Sequence, residues 1–297
     1  MTEKMPESLM KKSLIWILQT GEPLECDGDI RPMRAMSLAN ALVSHDFEVV
    51  IWTSRFFHQK KRHRVVERLS PVRQGVTIKF IESPGYSSNV GLGRLWDHFL
   101  LAKNLKSVLS SVDHKEFPDL IFIGYPPIEI SYVMASWARR RQIPCLIDVK
   151  DQWPELFLSK FEGVSRGLAC VFLSPYFFLG RRALKQATGI CSMSYPFLEW
   201  ASSFAGRSVN GNDIVAPLTP FPFKIDPRTK ATVAKWQKQL GNPFWSRKFI
   251  LFVGSFSRAF DFNTVIKAAE YFEKKRSRFG IHFLRRRRAQ GRPGRTI

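Results

Sequence analysis

Acidic residues are scarce in this chain of 297 residues. The 25 Asp and Glu residues stand against 46 Lys and Arg residues, which gives a formal net charge of +21. So large a positive charge favours an anionic partner, whether nucleic acid, acidic lipid headgroups or nucleotide phosphates. No recognised nucleic-acid-binding motif accompanies the basic residues. Nucleic acid therefore ranks last, and we predict that it is not a partner.

Cysteine is scarce as well, and its spacing matches no metal site. The four cysteines are Cys26, Cys145, Cys170 and Cys191, and no two of them form a C-x-x-C pair. Three of them lie in apolar runs, as buried thiols do. This pattern predicts a reducing, cytoplasmic compartment and gives no indication of a metal or another cofactor.

Apolar runs long enough to cross a bilayer are missing. A transmembrane helix needs about 20 apolar residues. The run at residues 168–180 is shorter than that and contains Pro175. We therefore predict no transmembrane helix.

The sequence does contain short apolar runs that alternate with helical patterns. Five runs rich in β-branched and aromatic residues occupy residues 13–20, 47–54, 76–83, 119–125 and 144–151, and two more follow at 187–194 and 212–219. The helical patterns between them lie near residues 32–44, 92–111 and 128–142. Strands that alternate with helices and carry continuous apolar runs predict a parallel, doubly wound α/β sheet.

The pattern changes after residue 219. We assign residues 1–219 to an amino-terminal domain and the proline-rich residues 220–245 to a linker that includes a helical segment near residues 229–240. Residues 246–283 read as a strand, a turn at Gly254, a helix at residues 262–274 and the start of another strand. One such unit cannot bury both of its faces. We therefore expect a second Rossmann-like domain that is begun and not finished, followed by a disordered basic tail at 284–297.

The arginine-rich tail has two readings. One is an evolved arm that binds nucleic acid, which predicts a strongly salt-dependent affinity. The other is a terminus read in a shifted frame, since arginine, glycine and proline replace the expected strand and turn. We favour the shifted frame.

Ligands of open α/β sheets bind beyond the carboxyl ends of the strands, so the loops there are the candidate sites. The loop at residues 21–34 leads into a helix whose amino terminus could receive an anion, but it lacks both G-x-G-x-x-G and the Walker pattern. In "DVKDQWPEL", Asp148 and Asp151 suit acid/base work or recognition of sugar hydroxyls. The alternative for this pair is an aspartate helix cap.

The segments "WILQTGEPL", "RPMRAMSLANALVSHDFEVVIWTS", "DVKDQWPE" and "FILFVGSFSRAFDFNTVIKAA" carry a resemblance. They resemble the family-4 retaining glycosyltransferases of GT-B fold, in particular the bacterial fucosaminyl- or N-acetylglucosaminyltransferase-like enzymes of O-antigen and capsule synthesis. The spaced D-x-x-D-x-W-P-E pattern after the fifth strand makes the resemblance fairly specific.

The resemblance implies an enzyme that binds a nucleotide-sugar between two Rossmann-like halves and needs no metal. Its acceptor would be a polyprenyl-diphosphate-linked saccharide at the inner membrane face. The implied catalytic residues are Asp148 and Asp151. The implied donor-binding residues are Gly21, Glu22, Gly254 and Arg258. The implied acceptor- or membrane-side residues are Arg31, Arg34, Lys60, Lys61, Arg62 and Trp153.

Two segments would have a use as a surface for anionic lipid, namely the basic residues 55–73 and the aromatic-rich residues 173–182. Their alternatives are a solvated loop and a core helix. The "GDG"-type turn and the paired glutamates of the family are not found in this sequence. We therefore expect weak donor binding and little turnover by this chain. A non-catalytic module that binds acceptor or membrane stays open as the alternative.

Overall fold

The computed structural model describes residues 12–24, 27, 33–65, 75–88, 91–159, 161–218, 227–240, 248–254, 260–274 and 279–285. The chain divides into two compact units, Met1–Phe221 and Pro222–Ile297. The elements, in chain order, are β1 (Leu14–Leu18), α1 (Arg34–Ser44), β2 (Glu48–Ser54), β3 (Phe56–Phe57), β4 (Arg62–His63), β5 (Val76–Ile81), α2 (Leu92–Ser110), β6 (Leu120–Tyr125), α3 (Ile128–Arg140), β7 (Cys145–Val149), α4 (Glu155–Leu158), α5 (Gly163–Gln186), β8 (Gly189–Ser192), α6 (Tyr195–Phe204), β9 (Ile214–Val215), α7 (Pro227–Leu240), β10 (Lys248–Gly254), α8 (Phe262–Lys274) and β11 (Phe279–Arg285).

The described part of the larger unit contains a parallel sheet of seven strands in the order β5-β2-β1-β6-β7-β8-β9. Strand β1 pairs with β2 on one side, where Leu14 lies opposite Glu48, and with β6 on the other, where Ile15 lies opposite Leu120. The strand order therefore reverses at β1, which opens a crevice beyond the carboxyl ends of β1 and β6. The predicted parallel, doubly wound sheet is confirmed.

Side chains of β1 point alternately to the two faces of the sheet, because successive residues of a strand face opposite ways. Trp16 belongs to the larger core, where α2, α3, α5 and α6 pack on the sheet. Its ring lies 5.0 Å from that of Trp52 and 5.3 Å from that of Trp137, centroid to centroid. Ile17 faces the other way, into the smaller core beneath α1. Both faces of the central strand are thus buried, which explains its unbroken apolar run.

Helix α5 differs from the sequence expectation. It runs for 24 residues through Pro175 and is long and apolar enough to cross a membrane, by length and composition alone. Only 6% of its most apolar window is buried. The alternative reading of residues 173–182 as a core helix holds for Leu173 and Gly180, which are buried, and fails for Phe178, which is exposed. The absence of a transmembrane helix stays a prediction.

The basic stretch at 55–73 is described only as far as Val65. Its first part forms the antiparallel pair of β3 and β4, in which Phe56 lies opposite His63. Phe56, Phe57 and Arg64 are buried. The reading of this part as a solvated loop is wrong for these three residues, whereas Arg62 is exposed.

The smaller unit contains a parallel pair of strands, β10 and β11, in its described part. The pairing runs from Lys248 opposite Phe279 to Gly254 opposite Arg285. Strand β11 therefore continues through Arg285, two residues beyond the predicted end of folded sequence. The rest of the arginine-rich tail lies outside the described residues.

Candidate functional site at the carboxyl edge of the sheet

The parallel strands β1, β2, β6, β7 and β8 end at the same edge of the sheet, so the loops that follow them meet there. Two side-chain groups occupy this edge. The first, called here the charged cluster, consists of Glu22 after β1, Arg34 at the start of α1, and Asp148 and Lys150 at the end of β7. The second, called here the aromatic cluster, consists of Tyr86, Arg94, His98, Glu129 and Trp153.

In the charged cluster two buried carboxylates alternate with two partly buried cations. Arg34 Nε lies 2.9 Å from Asp148 Oδ2, and Lys150 Nζ lies 3.7 Å from the same oxygen. Lys150 also forms an ion pair with Glu22. Because Asp148 is 1% exposed and Glu22 is 6% exposed, each carboxylate depends on these cations for compensation.

Glu22 also satisfies the amino terminus of α1. Its Oε2 accepts a hydrogen bond of 2.8 Å from the Ala35 backbone amide. The orphan amides and the positive end of the helix dipole favour a carboxylate at this position. The anion that the sequence predicted for this helix terminus is therefore supplied by the protein itself. Gly21 lies exposed beside it, with no heavy atom within 4 Å of where a Cβ would stand.

Arg34 links the cluster to the end of the sheet. Its Nη1 donates to the Ala216 carbonyl oxygen at 2.8 Å, and its Nη2 donates to Cys191 Sγ at 3.1 Å. Burial raises the pKa of the Asp148 carboxyl, and the nearby Lys150 and Arg34 cations offset part of the rise. Burial also raises the pKa of the Cys191 thiol, and the nearby Asp148 carboxylate raises it further. The thiol is therefore a neutral partner of the guanidinium.

The aromatic cluster centres on Arg94. Its guanidinium lies 4.9 Å from the ring centroid of Trp153 and 5.8 Å from that of Tyr86. Beneath it, His98 Nδ1 lies 3.6 Å from Glu129 Oε2, and both residues are buried. Tyr125 fixes the platform, because its hydroxyl donates to the Trp153 carbonyl oxygen at 2.7 Å. A planar cation between two aromatic faces suits recognition of a sugar ring or a phosphate.

Asp151 lies between the two clusters. Its side chain is at the surface, yet the surrounding protein removes enough solvent to raise the pKa of the carboxyl. Arg94 from the aromatic cluster and Lys150 from the charged cluster offset part of this rise. Asp151 is therefore an accessible carboxylate, whereas Asp148 is an enclosed one.

The β3–β4 hairpin brings two predicted lysines to the same edge. Lys60 Nζ donates to the Asp27 carbonyl oxygen at 3.1 Å. Lys61 Nζ lies 4.1 Å from the ring centroid of Tyr86 and 3.2 Å from His58 Nδ1. The hairpin is held by Arg64, whose Nε and Nη2 donate to the two oxygens of Asp27, each at 2.8 Å.

The predicted site residues thus do not all lie together. Glu22, Arg34 and Asp148 lie together in the charged cluster, while Trp153 and Lys61 meet at Tyr86 and Arg94. Gly254 ends β10 in the smaller unit. Arg31 and Arg258 lie outside the described residues.

Sequence reasoning missed the aromatic cluster except for Trp153. The sequence signal for it is a pair of polar residues, Asp97 and His98, among the apolar positions of α2. In the structure Asp97 Oδ1 accepts a hydrogen bond from the Gly85 amide at 2.7 Å. Within the described ranges, no group of three His, Cys, Asp or Glu side chains is placed to hold a metal ion.

Comparison with known proteins yields matches among solved structures alone. No protein-family model matches the chain, and no curated protein matches it. The crystal structure of the glycotransferase of kitacinnamycin aligns with 96% of this chain and 68% of its own, at 13% identity and a TM-score of 0.50. That of Anabaena Alr3699/HepE with UDP and glucose aligns with 92% of this chain and 61% of its own, at 13% identity and a TM-score of 0.47.

A third match is Arabidopsis thaliana UGT89C1 complexed with UDP-L-rhamnose, with 92% of this chain and 70% of that one covered, at 13% identity and a TM-score of 0.49. The chain spans 70%, 65% and 58% of the length of three such structures. Likeness at this identity concerns the fold alone. The chain has an α/β fold of the GT-B glycosyltransferase type.

Proposed function

We propose that this protein is a glycosyltransferase that moves a sugar from a nucleotide-sugar to a lipid-linked saccharide in bacterial surface polysaccharide synthesis. The observation that carries the proposal is the carboxyl edge of the GT-B-type sheet. There an accessible carboxylate, Asp151, lies beside the aromatic platform of Trp153 and between the cations Arg94 and Lys150. Solved structures of similar fold, complexed with UDP or a UDP-sugar, support the donor class.

In this proposal the acceptor saccharide lies against Trp153 and Arg94. Asp151 accepts a hydrogen bond from the reacting hydroxyl, and its raised pKa makes it a better proton acceptor at neutral pH than an ordinary aspartate. The hydroxyl oxygen bonds to the anomeric carbon, the bond from that carbon to the nucleotide diphosphate breaks, and the hydroxyl proton passes to the Asp151 carboxylate.

The charged cluster has a positioning role in this scheme. Asp148 and Glu22 are buried and hold Arg34 and Lys150 in place, so they act through these cations. No metal or other cofactor takes part in the proposal. The proposed location is the cytoplasm, with peripheral contact at the inner membrane face where the acceptor lipid lies.

The test is a transfer assay with a panel of radiolabelled nucleotide-sugars and polyprenyl-diphosphate-linked saccharides. We expect Asp151→Asn to lose roughly a hundredfold or more in rate, the usual contribution of a positioned proton acceptor. The matched control is Asp113→Asn. This variant changes an exposed aspartate that precedes a short helical turn at residues 114–116. Equal rates for the two variants would contradict the assignment of Asp151.

The second candidate function is a non-catalytic module that binds membrane or acceptor. The exposed apolar half of α5 favours it. Calorimetric titration with the nucleotide-sugars separates the two functions. Vesicle binding with no heat of nucleotide-sugar binding would favour the module and overturn the enzyme.

A further inference from the structure

The first half of α5 is exposed although its residues are apolar. Val164, Leu168, Val171 and Phe172 are 84%, 70%, 74% and 67% exposed. Exposed apolar surface of this extent in a single segment marks an interaction site. The rest of the helix is different, because from residue 173 onward Leu173, Gly180, Ala183 and Leu184 are buried in the domain.

A groove continues from this exposed surface along the helix layer. It lies between α3, α5 and α6, has a volume of about 1280 Å³, and begins near Cys170 and Leu158. Five cationic side chains line it, namely Arg139, Arg140, Arg181, Arg182 and Lys185, and no carboxylate is among its described lining residues. The groove therefore concentrates positive charge beside apolar surface.

Two of these arginines rest on aromatic rings. The Arg181 guanidinium lies 5.4 Å from the ring centroid of Phe204, and that of Arg182 lies 5.9 Å from that of Phe178. Such stacking holds the guanidinium plane while its edge stays available for bidentate bonds to phosphate.

We propose that this region is a docking surface for an anionic bilayer. The groove receives phospholipid headgroup phosphates, and the exposed half of α5 lies among the upper acyl chains. The inference gives the membrane contact of the proposed function a definite surface, and in that respect it rests on that function. Of the two segments expected to contact lipid, it favours the one that includes residues 173–182 of α5, whereas the lysines of the β3–β4 hairpin lie at the carboxyl edge of the sheet.

The occupant follows from charge and from packing. A soluble phosphate would use the arginines but would leave the apolar turns in water. A membrane-crossing role for α5 would expose the buried second half, which packs against α3 and the core. A helix fixed at one end and apolar at the other fits contact with the bilayer interface.

The test is sedimentation of the full chain with phosphatidylglycerol-containing vesicles and with vesicles of phosphatidylcholine alone. We expect binding to the first only. Arg181→Ala/Arg182→Ala should weaken it roughly 25-fold, because each of the two basic residues at an anionic surface contributes roughly fivefold. The charge-matched control is Lys103→Ala/Lys106→Ala on α2, also exposed, with an expected change of about twofold or less.

The apolar part is tested by a matched pair of leucines. Leu168→Ser should weaken binding roughly tenfold through lost apolar burial. Leu92→Ser, at 77% exposure on α2, should leave it unchanged. An equal loss of vesicle binding by both members of either matched pair would mean that net charge or nonspecific hydrophobic association drives binding, and would overturn the proposal. Full vesicle binding by Leu168→Ser, together with loss of binding in inorganic phosphate at matched ionic strength, would mark a soluble-anion site and overturn the proposal too.

A second readout needs no change in the surface. Cys170 is exposed, whereas Cys145 and Cys191 are buried. In a Cys26→Ser background, anionic vesicles should slow the reaction of Cys170 with a water-soluble maleimide, and an unchanged rate would contradict the proposal. Neither assay uses nucleotide-sugar or acceptor, so failed docking and failed transfer are separate results.

Discussion

Two regions of the larger unit concentrate positive charge, and they treat it in opposite ways. At the carboxyl edge of the sheet three cations are paired with buried carboxylates: Arg34 with Asp148, Lys150 with Glu22, and Arg64 with Asp27. In the groove between α3, α5 and α6 the cations are exposed, and no described lining residue is acidic.

This difference separates structural charges from charges available to a partner. Removing the carboxylate from a buried ion pair leaves an uncompensated buried cation, which destabilises the fold. Removing the cation leaves an uncompensated buried carboxylate, with the same consequence. An exposed cation on a helix surface costs the fold almost nothing when it is removed. Substitutions that break an ion pair at the edge should therefore reduce stability, whereas substitutions in the groove should reduce vesicle binding with little effect on stability.

Arg64→Ala should have the largest effect on stability. It leaves Asp27 buried and unpaired, and it also removes the bond from Nη2 to the Glu22 carbonyl oxygen, which is 3.2 Å long. We expect a loss of about 3–5 kcal/mol in the free energy of unfolding, measured by urea denaturation. Arg62→Ala is the control, because Arg62 is an exposed arginine two residues away. A similar cost for both would contradict the distinction between paired and exposed cations.

Asp213→Asn should cost about 2 kcal/mol, with a clear dependence on pH. Although burial raises the pKa of Asp213, hydrogen bonds from Arg207 and from the Asn210 and Ile190 amides lower it overall. A lowered folded-state pKa means that the carboxylate stabilises the protein above the unfolded value of about 3.9 and that this contribution is lost as pH falls through the folded value. Unfolding curves between neutral and strongly acidic pH measure it. A difference between variant and wild type that persists at the lowest pH would contradict the linkage.

Asp148→Asn should cost less, about 1 kcal/mol, since Arg34 keeps its bonds to Ala216 and Cys191 and Lys150 keeps Glu22. The amide should hold Arg34 less firmly, so the proposed transfer rate should fall more than stability does. Parallel measurement of unfolding and transfer checks this. Cys191→Ser is the matched variant, because it changes a neighbour of Arg34 without changing its charge balance. Equal transfer rates in Asp148→Asn and wild type would remove the positioning role.

The sheet could be predicted because its strands are buried on both faces. The runs at 13–20 and 47–54 contain the observed β1 and β2, since a strand without a polar face needs cover on both sides. The position of β1 between β2 and β6 could not be predicted in this way, because an apolar run carries no information about its neighbours. That position decides which loops share the crevice.

The candidate site was predicted in part for a similar reason. Asp148 and Asp151 lie three positions apart in a recognisable segment, whereas His98 and Glu129 come from different helices and meet only in the fold. Glu22 was recognised as a site residue, but its contact with the Ala35 amide depends on how the loop returns to α1. The exposure of α5 was unpredictable, because a core helix and an exposed apolar helix have the same composition.

The smallest effect on stability should come from the two groove arginines. Arg181→Ala/Arg182→Ala removes the contacts with Phe204 and Phe178, but both guanidinium groups are exposed and no carboxylate loses a partner among the described lining residues. We expect the free energy of unfolding to change by about 0.5 kcal/mol or less, measured by urea denaturation beside Lys103→Ala/Lys106→Ala. A cost of several kcal/mol would mean that these arginines hold α5 to α3 and α6, and the groove would then belong with the structural charges of the carboxyl edge. A small cost together with lost vesicle binding would show that the same residue type serves the fold where it is paired and a partner where it is exposed.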